Sequence, residues 1–251
     1  MKLSQQIAII TGGASGMGRA CANLLIDRGV KVAIWDLNIT KVAAEINRLE
    51  IQCDVSSEDS VANALQNTIE KIGIPSICIN CAGIAPAKRM LGKSGPMPLQ
   101  DFKQVIDVNL IGTFNVMRMV AQAMLSLALD HQQTERGVII NTASIAAFEG
   151  QIGQMAYSAS KGGVVAMTLT AARELARHSI RVNTIAPGLI ATPLLLNMPT
   201  DVQESLAAMV TFPKRLGKPE EFAMLVMHLI ENEFINGEVI RLDGGMRMQA
   251  N

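Results

Sequence analysis

The sequence predicts an α/β protein in which a doubly wound parallel sheet of seven strands carries helices on both faces. Seven apolar runs of strand length recur along the 251 residues, and segments of helical period separate them. The runs are almost continuously apolar, which is typical of strands buried on both faces. The predicted strands are residues 6–10, 31–36, 51–55, 76–80, 137–144, 180–187 and 237–244.

The segments between these strands divide into helices and two irregular stretches. The predicted helices are residues 17–29, 40–49, 58–71, 99–128, 155–177 and 219–231. The irregular stretches are residues 83–98 and 188–218, and each follows a strand. Because ligands of open α/β sheets bind beyond the carboxyl ends of strands, we expect these stretches to contact the substrate. No repeat or linker divides residues 1–251, so a single domain is expected.

Charge and hydropathy exclude several classes of partner. The 22 Lys and Arg residues balance 22 Asp and Glu residues without a basic run, so the electrostatic footprint of nucleic-acid binding is missing. No apolar segment reaches the ~18 residues of a membrane span, and the first residues do not have the pattern of a secretory or transit signal. We therefore expect a cytoplasmic protein that binds neither nucleic acid nor membrane.

The cysteines and histidines do not indicate a metal site. Cys78 and Cys81 form a C-x-x-C, but residues three apart on a strand point to opposite faces, which is unsuitable for a disulfide. The histidines, at positions 131, 178 and 228, have no metal-ligand spacing. No metal is predicted.

A glycine-rich turn follows the first predicted strand and opens the first helix. In TGGASGMG, Gly12, Gly16 and Gly18 give G-x-x-x-G-x-G. Gly12 permits the tight turn, Gly16 lets the backbone approach a pyrophosphate, and Gly18 lets the helix pack closely on the strand. The helix N-terminus then faces the anion. A dinucleotide site is predicted, and a purely structural turn is the alternative.

Acidic and small residues at the next strand ends extend this site. Asp36 stands 18 residues after Gly18, near the offset of an acid that binds ribose hydroxyls. Its charge repels the 2′-phosphate of NADP, so NAD is the predicted cofactor; a helix-capping Asp36 is the alternative. Asp54, which follows the third strand, is placed to position the adenine, and the backbone of Cys81 is placed beside the ribose.

Tyr157, the only tyrosine, comes four positions before Lys161, so their side chains share a helix face. A free tyrosine has a pKa near ~10 and is a poor base at neutral pH. A nearby ammonium favours the phenolate, which suits general acid–base catalysis. Ser144 ends the fifth strand and can donate to a substrate carbonyl oxygen. Asn109 is a poor former of helix interiors, which suggests that it holds a water in a proton relay to Lys161; a polar contact with a neighbouring helix is the alternative.

Taken in order, TGGASGMG, Asp36, the DV pair at 54–55, NCAG at 80–83, YSASK at 157–161 and PG at 187–188 resemble the short-chain dehydrogenase/reductase family. The resemblance covers the whole chain. It implies a single-domain Rossmann fold, a tetrad of Asn109, Ser144, Tyr157 and Lys161, and a homotetramer.

Longer stretches resemble the type-2 3-hydroxyacyl-CoA dehydrogenase subgroup, among them RGVIINTASIAAFEGQ, TIAPGLIATPLL and NGEVIRLDGGMRMQ. This implies NAD-linked oxidation of the 3-hydroxyl of a short or branched acyl-CoA. The implied substrate contacts are Ser144, Gln154 and Tyr157. The implied cofactor contacts are Gly12, Ser15, Gly16, Met17, Gly18, Asp36, Asp54, Val55, Cys81, Ala82, Gly83, Tyr157, Lys161, Pro187, Ile190 and Thr192.

Two alternatives stay open. A 3-oxoacyl carrier-protein reductase, or another alcohol or steroid dehydrogenase, would share these motifs, although such reductases normally prefer NADPH, which Asp36 and Ser15 disfavour. A protein that binds NAD without turnover belongs to a different class, because fold does not determine function. The Ser-Tyr-Lys set disfavours that second alternative.

Overall fold

The computed structural model describes residue 3 and residues 6–39, 44–93, 95–129 and 134–250. Seven parallel strands and one short antiparallel strand form its central sheet, and the predicted parallel sheet is confirmed. A separate hairpin consists of β6 and β7. The strands in the described ranges are β1 (Ile7–Thr11), β2 (Lys31–Asp36), β3 (Ala44–Glu45), β4 (Arg48–Gln52), β5 (Ile77–Asn80), β6 (Leu91–Gly92), β7 (Gly95–Pro96), β8 (Gly137–Thr142), β9 (Ile180–Pro187) and β10 (Val239–Leu242).

Helices cover both faces of the sheet. The α-helices in the described ranges are α1 (Gly16–Asp27), α2 (Glu58–Ile72), α3 (Leu99–Ile106), α4 (Gly112–Met124), α5 (Met155–Ala176), α6 (Pro193–Leu196), α7 (Thr200–Met209) and α8 (Pro219–Glu231). One face packs against α1 and α8, and the other packs against α2, α4 and α5.

The central strand β1 shows why the strands are almost continuously apolar. Ile10 points into the core beneath α1 and α8, whereas its neighbour Ile9 points into the core beneath α2 and α4. Both side chains are fully buried. Burial of such a side chain stabilises a fold by about 1.5–3 kcal/mol, so both faces of each central strand favour apolar residues.

The order of the strands locates the ligand crevice. The sheet runs β10-β9-β8-β5-β1-β2-β4-β3, so the chain builds outward in one direction from β1 and then returns to build outward from β5. Such a switch point opens a crevice beyond the carboxyl ends of the strands. The turns that follow β1, β2, β5 and β8 all end at this edge.

The predicted helix over residues 40–49 is wrong within the described residues. Ala44–Glu45 and Arg48–Gln52 form an antiparallel hairpin, and residues 40–43 lie outside the described ranges. Asn47 turns this hairpin with a φ of 67°. Residues 48–52 pair with β2 as a parallel strand, and this tertiary contact overrides the weak helix propensity of the segment. The third parallel strand therefore ends at Gln52, before the predicted residues 53–55.

Three other predicted segments have more detail than the sequence indicated. The helix over 99–128 is α3 and α4 joined by a π-helical segment, Asp107–Ile111, and it ends at Met124. The irregular stretch 83–98 contains the β6–β7 hairpin. The stretch 188–218 contains α6 and α7.

Among the described residues, no group of three or more His, Cys, Asp or Glu side chains could hold a metal ion. His178 lies in the turn that follows α5, and His228 lies on α8. His131 lies outside the described residues. A search of the described helices finds none that is long and apolar enough to cross a membrane.

Candidate active site

The glycine turn after β1 is built so closely that side chains would not fit. Gly12 has a φ of 65°, and a Cβ at this residue would lie 2.8 Å from the backbone nitrogen of Ala82. A Cβ at Gly18 would lie 2.4 Å from the carbonyl oxygen of Gly12. Gly16 also has a positive φ, 52°, and faces Thr192 of the 188–218 stretch. The turn and the N-terminus of α1 therefore leave bare backbone at the crevice.

Asp36, at the end of β2, contacts this turn directly. One carboxylate oxygen accepts a hydrogen bond from the Ala14 amide at 3.1 Å, and the other accepts one from the Asn38 amide at 3.0 Å. Arg19, which the sequence did not place here, donates to the Ala14 carbonyl at 3.2 Å and lies 3.7 Å from Glu50. The edge of the turn thus carries one negative charge, with a basic group nearby that Glu50 partly neutralises.

The end of β5 is held beside the turn by a buried chain of polar side chains. Asn80 donates to Asn141 at 2.9 Å, and its carbonyl oxygen faces the Thr11 hydroxyl at 3.5 Å. The Thr11 hydroxyl accepts a hydrogen bond from the Ala82 amide at 3.2 Å. Thr11, Asn80 and Asn141 lie within the motifs quoted from the sequence but were given no role there; polar residues at the ends of apolar strands were the available signal. Their contacts fix the backbone of 80–82 next to Gly12.

Asp54 and Val55 lie at the next strand end. The Asp54 carboxylate accepts hydrogen bonds from the amide and the hydroxyl of Ser56, at 2.9 and 2.6 Å. The Val55 carbonyl accepts a hydrogen bond from Asn115 at 3.0 Å. One oxygen of Asp54 is therefore used within its own turn.

The 188–218 stretch closes the other side of the crevice. Ile190 is buried and forms a parallel bridge with Gly217. The Thr192 amide donates to the Ile190 carbonyl at 2.7 Å, and Thr192 lies against Gly16. Pro187, at the end of β9, is also buried. Among the other expected contacts, Ser15 is exposed at the start of α1, and Met17 packs against the core beneath α1.

Ser144, Tyr157 and Lys161 meet at the carboxyl ends of β8 and β5. The Ser144 hydroxyl lies close enough to the Tyr157 phenol to act on its pKa, and it accepts a hydrogen bond from the Ala146 amide at 3.1 Å. The buried Lys161 ammonium donates to the Thr142 carbonyl at 2.7 Å and lies 5.9 Å from the centroid of the Tyr157 ring. Helix α5 therefore brings Tyr157 and Lys161 to one side of Ser144, as their spacing predicts.

The pKa values follow burial more than pairing. Burial raises the pKa of Tyr157, while the neighbouring Ser144 hydroxyl acts in the opposite direction. Burial lowers the pKa of Lys161 to about 8. The sequence predicted a tyrosine pKa lowered by the neighbouring ammonium, and this direction is wrong for the structure, because the ammonium points to Thr142 and the phenol is removed from water.

Asn109 lies in the π-helical segment and is fully buried. Its amide oxygen accepts from the Ile84 amide at 2.8 Å, and its amide nitrogen donates to the Ile84 carbonyl at 2.8 Å and to the Ser160 hydroxyl at 3.1 Å. Ser160 in turn donates to the Tyr157 carbonyl at 2.7 Å. The side chain therefore ties the start of the 83–98 stretch to α5. Its amide groups are occupied by protein, so a water relay would use other atoms.

Gly83 and Cys81 complete the floor of the site. A Cβ at Gly83 would lie 3.2 Å from the Asn109 amide oxygen and 3.6 Å from the Lys161 ammonium. The Cys81 sulfur accepts a weak hydrogen bond from Thr142 at 3.5 Å. The strand end NCAG thus meets the catalytic candidates, as expected.

Gln154 lies at the start of α5, where its amide oxygen faces the Gln151 amide at 3.4 Å. It lines a cavity of about 380 Å³ between the 83–98 stretch and the residues that precede α5. Arg89, Met90 and Leu91 form the opposite wall. The cavity reaches the first turn of α5 at Met155 and Ser158, but Ser144, Tyr157 and Lys161 are not among its lining residues.

The family model described as Enoyl-(Acyl carrier protein) reductase matches residues 12–247. The chain belongs to the short-chain dehydrogenase family. Dehydrogenases of this family generally use a nicotinamide cofactor.

Relatives that are 46–54% identical to the chain carry one name, whereas relatives at 34–36% identity carry other names. The chain is 54% identical to 3-hydroxyacyl-CoA dehydrogenase type-2 of Bos taurus, over 97% of this chain and 95% of the relative. It is 53% identical to the Homo sapiens protein of that name over the same shares. The crystal structure of 3-hydroxyacyl-CoA dehydrogenase type-2 from Mycobacterium avium matches with a TM-score of 0.93 and 39% identity, covering all of both chains. The predicted resemblance to this subgroup is confirmed.

Proposed function

We propose that this short-chain dehydrogenase catalyses the NAD-dependent, reversible oxidation of a short or branched 3-hydroxyacyl-CoA to the 3-oxoacyl-CoA. The observation that carries the proposal is the grouping of Ser144, Tyr157 and Lys161 at the crevice, where the buried Lys161 ammonium lies 5.9 Å from the centroid of the Tyr157 ring. The shared name of the relatives supports the choice of substrate.

The residues present fit a dinucleotide. Gly12, Gly16 and Gly18 leave bare backbone where a Cβ would collide with the protein, and the N-terminus of α1 favours an anion there. The Asp36 carboxylate at the edge of this cradle accepts hydrogen bonds and carries a negative charge, which favours ribose hydroxyls over a 2′-phosphate. These features support NAD. When bound, the nicotinamide supplies the hydride acceptor.

Each catalytic candidate has a role in this proposal. In the oxidation direction Tyr157 first loses its phenol proton to solvent; the phenolate oxygen then accepts the proton of the substrate alcohol, and Ser144 donates a hydrogen bond to the oxygen that becomes the carbonyl. Lys161 holds the floor of the site through Thr142 and is placed to bind the ribose next to the nicotinamide. Asn109 fixes the start of the 83–98 stretch relative to α5.

The acyl part of the substrate would lie between the cavity and the 188–218 stretch. Leu196 and Met198 are 51% and 39% exposed there, which suits an apolar ligand because methionine adapts its shape easily. We also propose that the chain forms one domain, assembles as a homotetramer and works in the cytoplasm, as the family resemblance suggests. The molar mass of the protein, measured by light scattering as it elutes from a size-exclusion column, tests the proposed tetramer.

A 3-oxoacyl carrier-protein reductase is the second candidate, because the chain is 34% identical, over 98% of its length, to a protein of that name from Thermotoga maritima. Steady-state assays of the wild-type enzyme separate the two. We expect kcat/KM with 3-hydroxybutyryl-CoA and NAD⁺ to exceed that with NADP⁺, and reduction of an acetoacetyl carrier protein with NADPH to be slow. A strong NADPH preference with the carrier-protein substrate would overturn the proposal. A protein that binds NADH but turns over none of these substrates would favour the non-catalytic alternative.

A further inference from the structure

Glu149 lies between Ser144 and Tyr157 in the sequence but takes no part in the chemistry proposed above. Its two carboxylate oxygens accept hydrogen bonds from the Arg241 guanidinium at 2.8 and 3.1 Å. The guanidinium lies 5.4 Å from the centroid of the Phe148 ring. Contact with Arg241 lowers the pKa of Glu149. This paired charge therefore anchors the middle of the segment 144–157, which we call the catalytic segment.

The partner of this anchor is the end of the chain, residues 243–250, which we call the tail. Glu149 also accepts a hydrogen bond from the Met248 amide at 3.1 Å and lies 3.4 Å from Arg247. Arg241 donates to Asp243 at 2.7 Å and to the Met246 carbonyl at 3.1 Å. Every charged group of this cluster thus touches the tail or belongs to it.

The tail then runs along the catalytic segment. The Ile152 amide donates to the Ala250 carbonyl at 3.0 Å, and the Gln151 side chain donates to the Gln249 carbonyl at 3.2 Å. Residues 150–155 also line the cavity of about 380 Å³. The tail therefore braces the wall of the cavity from behind.

The same tail holds the end of α7, which follows the residues proposed to cover the acyl chain. Met246 is fully buried in a small core with Ile145 and Val210. The Phe212 amide donates to the Gly244 carbonyl at 3.0 Å, and the Thr211 hydroxyl donates to the Gly245 carbonyl at 3.0 Å. One stretch of backbone thus joins the catalytic segment to the substrate-covering stretch.

We propose that Glu149 is a positioning residue for the acyl substrate: by tying the tail to the catalytic segment, it sets the separation between the Ser144–Tyr157 pair and the 188–218 stretch, which contains Leu196 and Met198. The inference rests on the proposed function. None of the contacts described for the Glu149 carboxylate reaches the glycine turn at residues 12–18, so we expect its effect to fall on the acyl substrate and not on the dinucleotide.

The test is the substitution Glu149→Gln, which keeps the shape but removes the charge that pairs with Arg241. Glu58→Gln is the control, because Glu58 pairs with Arg118 at 2.8 Å, and neither residue belongs to the tail, the catalytic segment or the 188–218 stretch. Steady-state KM values for 3-hydroxybutyryl-CoA and for NAD⁺ are measured for both variants and the wild type. Hydrogen exchange of the Ile152 amide reports separately on the tail contact.

For Glu149→Gln we expect the KM for the ester to rise about tenfold with a smaller change in kcat, since misplacement by 1 Å can cost up to 10²-fold. The KM for NAD⁺ and both KM values of the control should match the wild type, and the Ile152 amide should exchange faster. Faster exchange with an unchanged ester KM would overturn the proposal, as would equal rises of both KM values. Failure of the wild type to oxidise the ester would instead refute the proposed function, and the role of Glu149 with it.

Discussion

Replacing Asp36 with alanine should reverse the cofactor preference. The carboxylate is the one acidic side chain that contacts the glycine turn among the hydrogen bonds of the described residues, where it accepts from Ala14 and Asn38. Its removal takes away the acceptor for the ribose hydroxyls. It also leaves Arg19, which donates to the Ala14 carbonyl, as the nearest described charge on that edge of the turn.

The size of the effect follows from the two roles of the carboxylate. A hydrogen bond to a charged group contributes about 1.5–3 kcal/mol. Each oxygen of the Asp36 carboxylate already accepts a hydrogen bond from a backbone amide. A net loss of about 3 kcal/mol, or roughly a hundredfold in kcat/KM, is expected for NAD⁺. Repulsion between unit charges 4 Å apart is about 4 kcal/mol at an effective dielectric constant near 20. Its removal should raise kcat/KM for NADP⁺ by at least tenfold.

The assay is the ratio of kcat/KM for NAD⁺ and NADP⁺ with 3-hydroxybutyryl-CoA. Asp36→Asn is the matched control, because it removes the charge but keeps one acceptor; it should gain NADP⁺ activity while losing less NAD⁺ activity than Asp36→Ala. An Asp36→Ala enzyme with the wild-type ratio would refute the assignment of Asp36 as the selective group.

Three further substitutions test the geometry. Gly18→Ala places a Cβ 2.4 Å from the Gly12 carbonyl oxygen, so the KM for NAD⁺ should rise at least tenfold, and calorimetry should show a lower Tm; wild-type values would contradict the close approach. Lys161→Met removes a buried amine whose pKa is lowered to about 8 from 10.5. Because the unfolded chain binds the proton more tightly, the free energy of unfolding of the wild type should rise by about 2–3 kcal/mol relative to this variant as the pH rises from 8 to 10.5. Denaturant titrations of both proteins at each pH measure this difference. A difference that does not change with pH would contradict the lowered pKa of the amine. Gly162→Ala lies within α5, where a Cβ meets nothing closer than 4.0 Å. It should stabilise the protein by about 0.5–1 kcal/mol, and a lower Tm would mean that something else packs against this position.

Local patterns were sufficient for most of the fold and for the positions of the catalytic groups. The apolar runs around Ile9 and Ile139 predicted buried strands because the two faces of the sheet are both covered. The glycine turn and the pair Tyr157–Lys161 depend on spacing within one turn of chain, so they were visible without tertiary information.

Contacts between distant residues were not predictable in this way. The helix expected over 40–49 became a hairpin because β4 pairs with β2. The partners of Asn109 come from Ile84 and Ser160, and no local pattern links these positions. The raised pKa of Tyr157 comes mainly from burial, which depends on the packed structure and cannot be read from the spacing to Lys161.

Substitution of Tyr157 by phenylalanine tests the proposed chemistry most directly, since it removes only the oxygen that we propose as the acceptor of the substrate proton. Single-turnover rates and NADH binding by fluorescence should be measured on the same preparation. We expect the rate to fall by 10²–10⁴-fold, the usual contribution of a general acid or base, while the Kd for NADH stays at the wild-type value. Turnover close to the wild-type rate would contradict the assignment of Tyr157 as the proton acceptor.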